Sequence, residues 1–134
     1  MINYAEATGR HLSDAGVLQN VGRNENADQL YGIAAECALK AVMVCFGLPI
    51  DAHGNVERPY RTHNPAVWRQ YMTFCANRIS NRYPISDDPF HDWDVNQRYH
   101  AGGGVSSASV VAHSVAAKAA ARLIDEVRLD GYQI

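Results

Sequence analysis

The sequence predicts an all-α fold: a single domain over residues 1–134, built as four main helices in an up-and-down bundle with two long loops and a short extra helix. Three observations carry this. Apolar residues recur at three- and four-residue steps in four separate stretches. Nowhere do several alternating strand-like runs join through hairpin turns. A length of 134 residues suits one domain with one core, which needs neither disulfides nor a metal to fold.

The first helix is expected from Asn3 to Gln19, with Leu12, Ala15 and Leu18 on one face and Thr8 and Tyr4 one and two turns earlier. Gly22 to Asn26 breaks the pattern, and Asn24 or Asn26 can cap the next helix. The second helix, about Ala27 to Phe46, has the strongest pattern. Leu30, Ala34, Cys37, Ala41 and Cys45 lie along one stripe, and Tyr31, Ile33, Leu39 and Val44 extend apolarity nearly all round. Such a helix belongs at the centre of a bundle. Gly47 and Pro49 stop it.

Leu48 to His63 then forms a loop of about sixteen residues, longer than compact domains usually carry without a functional reason. Asn64 is the expected N-cap of the third helix, with Pro65 in its first position, and the pattern lasts to about Ser80. Asn81 to Val105 is the second long loop, with a short helical turn around Trp93 to Tyr99. Ser106 or Ser107 caps the fourth helix, which runs to about Arg128. Alanines in the second and fourth helices permit close approach, so these two are expected to form the tight seam.

The net charge of −2 comes from 12 basic and 14 acidic residues, which argues against sequence-wide polyanion binding. Ten of the 12 cations are Arg, and five of them fall between Arg58 and Tyr83 with no acid among them. Arg61, Arg69, Arg78 and Arg82 flank the third-helix aromatics Trp68, Tyr71 and Phe74, together with Met72. This is the best phosphate-contact surface on the chain for a nucleic acid; the aromatics themselves read as core or dimer interface. The apolar stretch Ala34 to Pro49 contains Glu36 and Lys40 and is too short to span a membrane. The N-terminus lacks a secretory pattern, and three cysteines without a CxxC pair suggest buried thiols in a reduced cytoplasmic protein.

Glu36 stands out amid apolar residues. It either faces a ligand or orients an Arg, or it pairs with Lys40 one turn on or with an Arg of another helix. His91, Asp92, Asp94 and His100 are metal-ligand types, but no HxxxH or HExxH spacing is present, and no metal or cofactor is expected. His113, between Val110 and Ala117, reads as a hydrogen-bonded or surface histidine. Gly102-Gly103-Gly104 before a helix could join Arg98 around an anion; a linker to a capped helix is the simpler reading.

Arg10-His11-Leu12-Ser13-Asp14-Ala15 and then Asn26 to Ala41, with Ala34-Ala35-Glu36-Cys37-Ala38-Leu39-Lys40-Ala41, resemble bacterial HEPN-like proteins (higher eukaryotes and prokaryotes nucleotide-binding domain). Their first helix often reads R-H-x-x-D-A and their second A-A-E-C-A-L-K-A. Arg98-Tyr99 after Trp93 resembles the R-Y pair before their last long helix. The similarity is dense over residues 10–43 and sparse afterwards. It implies a helical bundle, frequent homodimers, and RNA- or nucleotide-directed roles in toxin–antitoxin, defence or CRISPR-associated systems, with an antitoxin or a larger complex as partner.

Family ribonucleases carry R-x4–6-H. In metal-independent cleavage a His moves protons at the 2′-OH and the leaving 5′-oxygen, and an Arg stabilises the phosphorane. Arg58 to His63 matches that spacing, with Pro59 where a polar residue is usual and with the motif placed before the third helix. Arg98 and His100 lie nearer the expected place but too close together. Arg58, His63, Arg98 and His100 are therefore the catalytic candidates. The alternatives are a non-catalytic binding or subunit module, and a small-ligand bundle whose pocket is roofed by the two long loops.

Overall fold

The computed structural model describes residues 1–134 and contains α1 (Tyr4–Asn20), α2 (Asn24–Cys45), α3 (Ala66–Arg78), a short 3-10 helix (Val95–Tyr99) and α4 (Ser107–Leu129). There is no strand, only an isolated bridge between Ile50 and Val56. The all-α bundle with a short extra helix is thus as the apolar spacing predicts. α2 is the hub: α1, α3, α4 and the 3-10 helix all pack on it, and α1 also touches α4. α2 and α4 pack on each other along their lengths. α1 packs along α2 more extensively than α4 does.

Asn3 caps α1 by accepting the Glu6 N–H at 3.0 Å. Gly22, at φ +80, lets α1 end in a tight turn in which the Arg23 N–H returns to the Leu18 carbonyl at 2.9 Å. The break is therefore shorter than predicted, and α2 begins at Asn24 rather than Ala27. Its N-cap is Arg23 without a side-chain bond, because Asn24 reaches instead to the Ser107 hydroxyl at 3.4 Å.

The N-cap of α3 is Pro65, not Asn64 as expected, but the Asn64 side chain still serves the first turn by accepting the Trp68 N–H at 3.1 Å. Its amide also donates to the Gly32 carbonyl of α2 at 3.1 Å, and this bridge keeps Asn64 and Pro65 in a turn, so the helix starts at Ala66. α3 closes at Arg78, because Ser80 and Asn81 turn the chain through φ values of 51 and 57. Ser106 caps α4 by accepting the Ser109 N–H at 3.1 Å.

The second loop is not a loose connection. Its Tyr83, Phe90 and Trp93 are core residues beside Trp68 and Tyr71 of α3. Trp68 donates to the Ser86 carbonyl at 2.8 Å, and Tyr71 to the Tyr83 carbonyl at 2.6 Å. The third-helix aromatics are thus mainly core, with Met72 at its margin. Cys75 is buried, whereas Cys37 and Cys45 are only partly so. No helix is long and apolar enough to cross a membrane.

Candidate functional site

Three successive turns of α2 hold residues 62 to 64. The Gly32 carbonyl receives the Asn64 amide. Glu36 accepts the Asn64 backbone N–H on Oε1 at 2.8 Å and faces His63 Nδ1 with Oε2 at 3.0 Å. Lys40 Nζ donates to the Thr62 carbonyl at 2.9 Å. Residues four apart on a helix share one face, so a single polar stripe in an otherwise apolar helix fixes the end of the first loop.

The consequence falls on His63. Its side chain is 53% exposed while that of Glu36 is 5% exposed. The buried carboxylate assigns the proton to Nδ1, which leaves Nε2 as the second, unshared nitrogen. The bond from Glu36 raises the imidazole above its ordinary pKa, against partial burial and the opposing charges of Lys40 and Arg98. Lys40 is pulled below the usual lysine range by burial, against the attraction of Glu36. Burial, then the Glu36 charge, pushes the neighbouring Cys37 thiol up to about 11, which makes it a poor nucleophile.

Arg98 stands on the 3-10 helix, its guanidinium 4.8 Å from the centre of the Tyr99 ring, and Tyr99 is 75% exposed. Of the two predicted arginines, Arg98 is the one whose charge bears on His63. Arg58 is exposed and makes no side-chain hydrogen bond or ion pair. His100 is exposed and lines two cavities. One, of about 320 Å³, also has Arg23, Glu25 and Arg98 on its walls. The other, of about 190 Å³, has Asp92, Asp94, Ser109 and His113.

The remaining predicted arginines divide in two. Arg61 is paired with Asp51 at 2.8 Å and Arg69 with Asp88 at 2.6 Å. Arg78 lies over Phe74, and Arg82 lies over Phe46, Tyr83 and Tyr132. The acid-free run in the sequence is therefore not acid-free in space: Asp51 and Asp88, from the two loops, neutralise two of its five arginines.

A second cluster secures the loop that carries Arg98. His113 of α4 is buried between Asp28 of α2, 2.5 Å from Nδ1, and Asp92 of the loop, 2.8 Å from Nε2. Gln97 donates to the other oxygen of Asp28 at 2.6 Å, and Phe90 stacks on the imidazole at 5.0 Å. Burial alone would lower the His113 pKa, but Asp28 and then Asp92 outweigh it, so the pKa is raised. Burial likewise works against Asp92, yet its bond to His113 holds it below the usual carboxylate range. With both ring nitrogens engaged, His113 is a fastening rather than a proton shuttle.

Other features of the loops have local uses. His91 points to the Asp88 carbonyl and Asp94 caps the 3-10 helix, so the four metal-ligand types around His100 do not converge. The Gly103 N–H is bonded to Glu25, which ties the glycine run to the start of α2 instead of leaving it as a cradle. An apolar groove of about 380 Å³ lies between the two chain termini, the end of α2 and Ile50. No residue of the second loop lines it, so it is not a pocket roofed by both loops.

Sequence reasoning names Asp92 only as a metal-ligand type, Lys40 only as a partner of Glu36 and Asn64 only as a cap, and it misses Asp28 and Gln97. The signal for Asp28 and Lys40 is a four-residue repeat, Asp28, Gly32, Glu36 and Lys40, inside the most apolar helix. Comparison of the chain with protein-family models, with curated proteins and with solved structures gives no match.

Proposed function

We propose that the chain is an RNA- or nucleotide-directed, HEPN-like protein of a toxin–antitoxin, defence or CRISPR-associated system, with a metal-independent endoribonuclease site centred on His63. One observation carries this: a buried carboxylate, Glu36, holds Nδ1 of a half-exposed imidazole and leaves Nε2 unshared. That is the orientation a general base requires. Nε2 of His63 takes the proton of a ribose 2′-OH. The 2′-oxygen attacks the adjacent phosphorus, the bond to the 5′-oxygen breaks, and a 2′,3′-cyclic phosphate and a 5′-hydroxyl result. Arg98 supplies directed donors to the phosphorane, and the exposed Tyr99 offers a face on which a base stacks. His100, exposed on the same loop, is the second imidazole able to protonate the leaving oxygen. We also propose a cytoplasmic homodimer, for which Val111 and Val115 on the outer face of α4, 53% and 61% exposed, provide apolar surface.

A second reading, a binding or subunit module without chemistry, is favoured by the pairing of Arg61 and Arg69 with loop carboxylates and by the lack of any contact from Arg58. One assay separates them. Mixed RNA is incubated in EDTA with the wild type, His63→Ala, Arg98→Ala and His100→Ala. Cleavage that persists in EDTA, ends in 2′,3′-cyclic phosphate and disappears in His63→Ala supports the nuclease. Equal background in all four samples rejects it, and retention of labelled RNA without cleavage leaves the binding module.

A further inference from the structure

Lys40 is a buried charge to which the nuclease scheme gives no task. It is only 9% exposed, it has no carboxylate within ion-pair distance, and its ammonium is spent on a main-chain carbonyl. That carbonyl belongs to Thr62, the residue before His63. The residue after it, Asn64, is gripped through its backbone N–H by Glu36. The imidazole is therefore presented between two main-chain clamps set one helical turn apart on α2, one anionic and one cationic. A buried ammonium is costly unless its position repays the desolvation, and a neutral residue could fill this place more cheaply.

We propose that Lys40 is a positioning residue of the His63 site, fixing the presentation of the imidazole by holding the Thr62 carbonyl and by setting its ammonium one turn from Glu36. The assignment rests on the nuclease reading only for its use in catalysis; the clamp itself is a property of the fold. The charged groups that face His63 are Glu36 and Lys40 from α2 and Arg98 from the 3-10 helix. With Arg98 exposed on a long side chain, the balance at the imidazole is set chiefly by the two α2 residues.

The two contributions separate by substitution. Lys40→Gln keeps a donor for the Thr62 carbonyl and loses the charge. Lys40→Met keeps the stem and loses both, and Lys40→Arg keeps both. The readouts are the NMR titration midpoint of the His63 imidazole and hydrogen exchange of the Asn64 amide, in variants that retain the wild-type amide spectrum. Lys40→Gln is expected to raise the midpoint by about half a unit, because a nearby like charge is removed. Lys40→Met is expected to speed Asn64 exchange roughly tenfold, as a local clamp opens. Lys40→Arg is expected to restore both. Midpoint and exchange unchanged in both neutral variants overturn the proposal. Should the neutral variants not fold, Lys40→Arg decides alone: wild-type protection of Asn64 supports the clamp, and full loss of protection refutes it. If the wild type cleaves no RNA, the nuclease reading falls while these measurements still decide the role of Lys40.

Discussion

Gly32 occupies the middle of α2, where alanine would favour the helix by about 1 kcal/mol. Its place is explained by Trp93, because a Cβ built on Gly32 would overlap the indole ring. The indole rests on bare helix backbone and donates to the Asp28 carbonyl at 3.0 Å. Gly32→Ala is therefore expected to destabilise the chain by about 2–4 kcal/mol in urea denaturation, despite the better helix former, because the Trp93 ring must leave its seat. Unchanged or greater stability would show that the ring relocates freely. Glu36 makes a separate prediction. Its bond raises the His63 pKa, so Glu36→Gln is expected to move the His63 NMR midpoint downward. Because the folded value lies above the unfolded one, the pairing stabilises fully below about pH 6.5 and fades as pH rises through the folded value. Glu36→Gln should thus lose more stability at pH 5.5 than at pH 8.5, and a loss equal at both would assign Glu36 a purely uncharged role.

At the level of elements, one histidine ties the middle of the second loop to two helices at once. Asp28 on α2 and Asp92 on the loop meet His113 from opposite sides, so removing the imidazole leaves the Asp28 carboxylate buried with Gln97 as its remaining side-chain partner. His113→Leu is expected to cost about 3–5 kcal/mol near pH 6, the range for breaking a buried ion pair on one side. Hydrogen exchange should show the 3-10 helix opening first; a uniform change across all four helices would contradict the latch. The same contrast between helix and latch separates the legible from the illegible in the sequence. Apolar spacing marks all four helices, with α2 starting three residues earlier than expected, because each must bury an apolar stripe against its neighbours. The signals for Glu36 and for a polar cap at Asn64 were local and also readable. The partners were not. Nothing near Asp28 in sequence specifies His113, 85 residues on, and nothing in the acid-free run from Arg58 to Tyr83 reveals that Asp51 and Asp88 fold back onto it. Long-range polar pairing has no period, whereas burial does.

For the molecule as a whole, one helix carries both fastenings. α2 holds the first loop through Glu36 and Lys40 and the second through Asp28, so the ends of both loops are referred to a single rigid axis. The same arrangement ties global stability to pH in a direction that can be worked out. His113 and His63 both have raised values in the folded state, the first against its burial, the second through Glu36. Each stabilises fully below about pH 6.5 and loses its contribution as pH climbs through its folded value. Cys37, pushed up by burial to about 11, adds to the alkaline loss, because the unfolded thiol ionises first. Asp92 is lowered through His113 and acts in the opposite sense: its contribution is present above the ordinary carboxylate range and disappears as pH falls through the folded value. Thermal unfolding at constant ionic strength should therefore show maximal Tm between about pH 4.5 and 6.5, falling on both sides. In His113→Leu the alkaline fall should flatten, because the largest buried imidazole contribution is gone while the His63 and Cys37 contributions remain. A wild-type Tm that keeps rising from pH 6.5 to 8.5 would mean that the two carboxylates around His113 do not hold it charged, and that the second loop is fastened by its buried aromatics and its other hydrogen bonds.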